Sequence, residues 1–197
     1  ISLTVAFASV ACMGRPGALK GRASDEWTRT YTLQQGGEFQ IVGGAGTIDV
    51  IGSDGPAIEV KADRVARAAT EEAAKPIPSR IRIAEDVSPN TVVLRYEGLS
   101  GMVIGVALEV NFHVTLPRST LLRLRTASGD ITISNMAGTV VASTTNGSIT
   151  GNALAGGIDA RTTNGSVKVA LVDVALTLPS AADANVDDTC TDRKSTR

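Results

Sequence analysis

A turn signature recurs in this chain at a fixed interval. Thr126-Ala127-Ser128-Gly129, Thr144-Thr145-Asn146-Gly147 and Thr162-Thr163-Asn164-Gly165 align, with glycines spaced by 18 (147 − 129 = 18). Ala137-Gly138 and Ala155-Gly156 keep the interval, as do Val140 and Ile158, and Ala142 and Ala160. Within each repeat a second glycine follows nine residues after the first, at 138 and 156. One repeat is therefore two similar half-units, each a turn followed by a short strand. A constant period constrains architecture more than local propensity does, because every unit must land in register on its neighbour.

The half-units alternate with period two. Ile131, Ile133, Ile149, Gly151, Val167 and Val169 fall on one side, and Asp130, Thr132, Ser148, Thr150, Ser166 and Lys168 on the other. The pattern predicts one buried column of Ile131, Ile149 and Val167, with Val140 and Ile158 in the facing column. Asn-Gly between alternating strands is also a hairpin signal, but a meander of hairpins enforces no constant spacing. The expectation is an all-β, solenoid-like stack with 18-residue rungs of two short strands each. At about 3.3 Å per residue such a rung is a flattened coil, its two faces about 10 Å apart. Gly129, Gly147 and Gly165 would turn the corner with positive φ. Asn146, Asn164 and the threonines would hydrogen-bond to the rungs above and below.

The half-unit occurs earlier, at Gly46 and again nine residues on at Gly55. Gly46 and Gly129 are 83 apart, not a multiple of 18, so an insertion interrupts the repeat. Ala- and Glu-rich Val65 to Lys75, stopped by Pro76, predicts one short inserted helix. Residues 79–87 and 91–96 read as strands around a Ser88-Pro89-Asn90 turn, and 98–105 as a flexible loop. Residues 106–116 form a strand with Val110, Phe112, Val114 and Leu116 on one side and Asn111, His113 and Thr115 on the other. Leu116-Pro117 is echoed by Leu178-Pro179, and Leu124 by Val186, after which the pattern fails. Residues 187–197, charged and lacking the next turn glycine, are expected to be a disordered or truncated tail.

Aromatics are 3% of the 197 residues against 20 glycines, which suits strands filled by small aliphatics rather than a bulky core. A net charge of −1 without a basic run argues against nucleic acid as a partner. Residues 1–11 are apolar and uncharged, like the core of a secretory signal peptide. Ser9-Val10-Ala11-Cys12 is similar to a lipobox, which makes Cys12 a lipidation candidate and a membrane anchor. Residues 12–26 read as a linker, and 27–186 as the folded domain. Cys12 and Cys190 are neither a disulfide framework nor a metal-ligand spacing.

Residues 27–62 (WTRTYTLQQGGEFQIVGGAGTIDVIGSDGPAIEVKA) and 114–169, from VTLPRSTLLRLRTASGD to TTNGSVKV, resemble a bacterial adhesin family with β-strand repeats, a domain of unknown function. The resemblance spans roughly Trp27 to Val186. It implies a right-handed β-solenoid-like surface protein, exported and often lipid-anchored, with no established reaction and no agreed active-site residues.

Chemistry is sparse. His113 is the one histidine, on the polar side of its strand, and no motif sets a serine or cysteine beside it. Asp130 and Asp159 could pair as glycosidase carboxylates on a β-helix face. Ser148 and Ser166 replace Asp130 in the following rungs, however, so no acidic column forms. Gly43 to Asp49 misses the calcium nonapeptide spacing by one residue, and Gly101-Met-Val-Ile-Gly105 lacks the context of a dinucleotide loop. Asn146-Gly-Ser and Asn164-Gly-Ser are sequons that read more simply as turns. No catalytic residue, cofactor or metal is expected. Three function classes remain: a non-enzymatic envelope module binding an unidentified polymer or surface protein, a carbohydrate-active β-helix enzyme, and a self-associating scaffold.

Overall fold

The computed structural model of the protein describes residues 19–99 and 105–172. The expectations for the signal-like segment, Cys12, the Leu178-Pro179 echo and the 187–197 tail fall outside those residues, as does most of the 98–105 loop. In chain order the elements are β1 (Gly21–Thr32), β2 (Glu38–Val42), β3 (Ile48–Ser53), β4 (Ala57–Ala68), α1 (Glu71–Ala74), a 3-10 turn (Pro78–Arg80), β5 (Arg82–Val87) and β6 (Thr91–Gly98). They continue as β7 (Ala107–Pro117), β8 (Leu121–Ser128), β9 (Ile131–Ser134), β10 (Val140–Asn146), β11 (Ile149–Leu154), β12 (Ile158–Asn164) and β13 (Val167–Leu171). The fold is all-β apart from one short helix.

Two sheets form, ordered β1-β4-β7-β3-β9-β11-β13 and β12-β10-β8-β2-β6-β5. Their inner faces feed one apolar core. Ile48, Val50, Phe112, Val114, Ile131, Ile133 and Ile149 come from the first sheet, and Phe39, Ile41, Val92, Leu94, Leu122, Leu124 and Val140 from the second. Alternation decides which side chains enter it: β8 is exposed, buried, exposed, buried along Leu121 to Leu124.

The parallel pairs carry the sequence period. Val140 lies between Leu122 and Ile158, and Ile149 between Ile131 and Val167, each partner 18 residues away. The 83-residue interval has a spatial meaning too. Ile48 pairs with Ile131 and Phe39 with Leu122, so β2–β3 lies directly against β8–β9. The intervening chain is laid on the far side, with β7 beyond β3 and β6 beyond β2. There the sheets become mixed, because β4 runs antiparallel to both β1 and β7, and β5 antiparallel to β6.

Several expectations are corrected. The helix read over Val65–Lys75 is strand as far as Ala68, because β1 and β7 satisfy the β4 backbone on both edges. Buried Ala66 and Ala68 then pack on Ala74 and Ile77. Only Glu71–Ala74 is helical, with Thr70 Oγ1 accepting from the Ala73 N–H at 3.3 Å as its N-cap. The linker read to residue 26 ends earlier, since β1 begins at Gly21. The strand read from 79 starts at Arg82, because Pro78 opens a 3-10 turn. Val167 is not a buried column member: it lies on the outermost of the described strands of its sheet and is 42% exposed. Ile158, on the outermost strand opposite, is only partly buried.

Candidate functional site

The residues singled out as the turn repeat meet at one corner between the sheets. Gly129, Gly147 and Gly165 have φ of 146°, 153° and 158°, where L side chains are rare. A Cβ on Gly147 would collide with the carbonyl oxygen of Gly129, and one on Gly165 with that of Gly147. Gly129 N–H donates to Asn146 O at 2.8 Å, and Gly147 N–H to Asn164 O at 2.9 Å. Thr144 Oγ1 donates to Gly129 O at 3.1 Å and Thr162 Oγ1 to Gly147 O at 2.8 Å. Asn164 Nδ2 donates to Asn146 Oδ1 at 2.8 Å, and the Ser166 and Ser148 hydroxyls lie 3.2 Å apart. The corner spends its polar groups on itself. It holds neighbouring parallel strands together and leaves little to offer a ligand.

On the outer face of the seven-stranded sheet a shallow depression of about 370 Å³ is lined by Glu26, Asp49, Glu59, Lys61, His113 and Thr115, among others. His113 Nδ1 is 3.3 Å from Asp49 Oδ2, and Nε2 is 3.7 Å from Asp63 Oδ2. Lys61 Nζ pairs with Glu26 Oε2 at 2.7 Å. The hydrogen bond from Lys61 holds the Glu26 carboxyl below its ordinary value, and the same bond holds the Lys61 ammonium above its own. A histidine between carboxylates resembles the base of a triad, but among the described residues the hydroxyls lining the depression are those of Thr28 and Thr115. Asp130 and Asp159 are not brought together. Asp130 Oδ1 accepts from the Ser148 N–H at 2.7 Å at the corner, whereas Asp159 faces outward on β12 and pairs with Arg161 at 3.0 Å.

The outer face of the six-stranded sheet carries arginines that the sequence reading passed over. The register sets Arg95 against Val42, Val42 against Arg125, Arg125 against Ser143, and Ser143 against Arg161. Arg123, one position pair away, is tied to Glu38 at 2.9 Å. Among the described residues, no carboxylate pairs with Arg95 or Arg125. The available signals were the alternation Leu122-Arg123-Leu124-Arg125, which orients the arginines outward, and the return of arginine at 161, two periods after 125.

No family model and no curated protein matches this chain. Solved structures do. A crystal structure of a "putative cell adhesion protein" from Clostridium sporogenes superposes with a TM-score of 0.50 at 7% identity, covering 76% of this chain and all of that one (100%). A "putative adhesin" from Parabacteroides merdae gives a TM-score of 0.28 at 10% identity, covering 74% of this chain and 79% of that one. The Clostridium sporogenes protein shares this chain's fold.

Proposed function

We propose that this chain is a non-enzymatic, exported module of the cell envelope that binds another surface or polymer, as an adhesin does. The observation that carries the reading is the shape: a two-sheet body whose flat outer faces present rows of exposed polar side chains on a backbone already paired. The fold shared with the Clostridium sporogenes protein, named for cell adhesion, supports it. The whole domain is a solenoid-like stack in which 18-residue rungs repeat through β8–β13, and the antiparallel strands close one end. Cys12, lipidated after export, tethers it to a membrane.

The test is adherence of the purified full chain to isolated cell-envelope fragments, scored alongside release of sugars from the same fragments. Saturable adherence without release is expected. Release abolished by Asp130→Asn would move the chain to the carbohydrate-active class. Fractionation of Cys12→Ser against the natural sequence tests the anchor, which predicts a shift of mature protein from membrane to soluble fraction.

A second reading has its own observation. On β13, Val167, Val169 and Leu171 are 42%, 39% and 63% exposed on the outermost strand among the described residues. The opposite edge, β1, carries Arg22, Asp25, Glu26 and Arg29, so it does not complement an apolar strand. Association would therefore join two β13 edges about a two-fold axis and stop at a dimer. Sedimentation across a concentration series should show a monomer–dimer equilibrium. Only monomer would remove this reading, and open-ended growth would replace it with a filament.

A further inference from the structure

We propose that the outer face of the six-stranded sheet docks an extended polyanion of the envelope, a linear polymer bearing carboxylate or phosphate groups, on Arg95, Arg125 and Arg161. The inference rests on the surface-binding reading and names its partner class.

The row crosses five neighbouring strands, β6, β2, β8, β10 and β12, with an arginine on every second one. Strands lie about 4.8 Å apart, so successive guanidinium stems rise about 10 Å from each other along the stack. Val42 and Ser143 stand between them, and Ala84 flanks Arg95 on the far side. These short side chains leave the longer arginine heads free above the sheet. A guanidinium is charged at every physiological pH, and its fork matches carboxylate and phosphate oxygens bidentately.

The arginines differ from most other cations of the protein in what they already hold. Arg29, Lys61, Arg64, Arg67, Lys75, Arg82, Arg118 and Arg123 each have a carboxylate partner. Arg95 and Arg125 have none among the described residues. Arg161 has Asp159, but both are exposed and such a pair yields readily to a competing anion. The protein as a whole carries a net charge of −1, so this row is a local feature rather than one side of a basic protein.

The partner is a flexible charged polymer rather than nucleic acid because, among the described residues, the face presents no stacking platform. Phe39 is fully buried beneath this sheet, and Tyr96 packs against the core. Bases splayed on the row would find no aromatic surface. A polymer lying along the stack axis, across the strands, meets one arginine at each step of about two strand spacings.

The experiment titrates the full chain by calorimetry, at low ionic strength, with sodium polygalacturonate, inorganic polyphosphate and oligothymidylate. One of the first two should bind, with affinity falling steeply as salt is added. The tighter of them tells carboxylate from phosphate. The double variant Arg95→Gln/Arg125→Gln should bind at least about tenfold more weakly, the loss of two charge-assisted contacts. Arg22→Gln/Arg80→Gln removes the same charge from other surfaces and should stay within about twofold. Both pairs are exposed, and equal thermal melts confirm that each variant is folded. Equal losses in the two double variants, tighter binding of oligothymidylate, or no binding of either polyanion would overturn the proposal. Envelope fragments separate the two levels of inference. Adherence that survives Arg95→Gln/Arg125→Gln removes the arginine row but leaves surface binding standing, whereas absence of adherence by the unaltered chain removes both.

Discussion

At one end of the stack, β1 and β4 run antiparallel over 12 residues each and are fastened by side chains of unlike kinds. Arg64 meets Asp25 and Lys61 meets Glu26, each at 2.7 Å. Arg29, 4.9 Å over the Trp27 ring, meets Glu85 on β5 at 3.3 Å, and Tyr31 donates to the same Glu85 at 2.6 Å, tying β1 to the other sheet. The charged edge strand also discourages further pairing. At the other end of the described residues, β12 and β13 lie parallel to β10 and β11, with asparagine on asparagine and serine on serine, and expose Val167 and Leu171. The contrast shows that a repeat can fix register without fixing burial. Ile48, Ile131, Ile149 and Val167 are equivalent in register, yet the first three are buried and the fourth is not. Closing a stack takes sequence that departs from the repeat.

The largest effect should separate the interior strand β11 from β13, the outermost described strand. Ile149→Asp buries an unpartnered carboxylate in the core and should cost about 4 kcal/mol or more in urea denaturation. Val167→Asp, at the same column position, should cost about 1 kcal/mol or less because its charge stays hydrated. Equal losses would mean that Val167 is as closed off from water as Ile149.

The corner gives the next effect. Gly147→Ala places a methyl against the Gly129 carbonyl oxygen, whereas Gly36→Ala, at φ 79°, meets nothing. Gly36→Ala should therefore cost the backbone term alone, about 1–2 kcal/mol. Gly147→Ala should cost a further 1–3 kcal/mol or so, since neighbouring backbone must move. Chemical denaturation of both variants checks the difference, and matching values would show that rungs tolerate looser stacking than the corner geometry implies.

Much of this was legible in the sequence because it follows from spacing. The parallel register and the corner glycines repeat, and Val110, Phe112, Val114 and Leu116 alternate with polar neighbours, as their burial shows. The closed end was not legible because it breaks local rules. VARAA has good helix propensity, but two flanking strands complete its backbone hydrogen bonds and override it. The exposure of Val167 was also hidden, since a periodic pattern looks the same on an interior strand and on an exposed one. The arginine row needed β6 and β8 placed on either side of β2, a pairing across intervals that no period announces.

Alkaline pH should test the closed end selectively, because the two tyrosines, Tyr31 on β1 and Tyr96 on β6, lie in that half. Burial first, and then the hydrogen bond to Glu85, push the Tyr31 hydroxyl well above the ordinary tyrosine value. Burial alone raises Tyr96. The unfolded chain releases these protons near pH 10, while the folded chain keeps them. Their contribution is thus fully present below about pH 10 and declines above it, by about 1.4 kcal/mol per pH unit for each proton retained. Thermal melts between about pH 8 and pH 11 should show the decline, and Tyr31→Phe should flatten it in part. An unchanged slope in that variant would place the alkaline sensitivity elsewhere.

The smallest effect bears most directly on the terminal rung. Thr150 stands on the outer face of β11 with Thr132 on one side and Lys168 on the other. Directly opposed charges on neighbouring strands are worth about 0.2–1 kcal/mol, with the sign set by the pair. If β13 holds its register against β11, Thr150→Glu should stabilise by a few tenths of a kcal/mol and Thr150→Lys should destabilise by about as much. Both shifts should shrink toward zero in 1 M salt, where screening reaches about 3 Å. Ile149→Asp cannot report on this contact, because its cost comes from the core. The sign change at position 150 comes only from the partner. Identical small shifts for the two substitutions, insensitive to salt, would mean that Lys168 is not beside Thr150 and that β13 is frayed from β11 in solution.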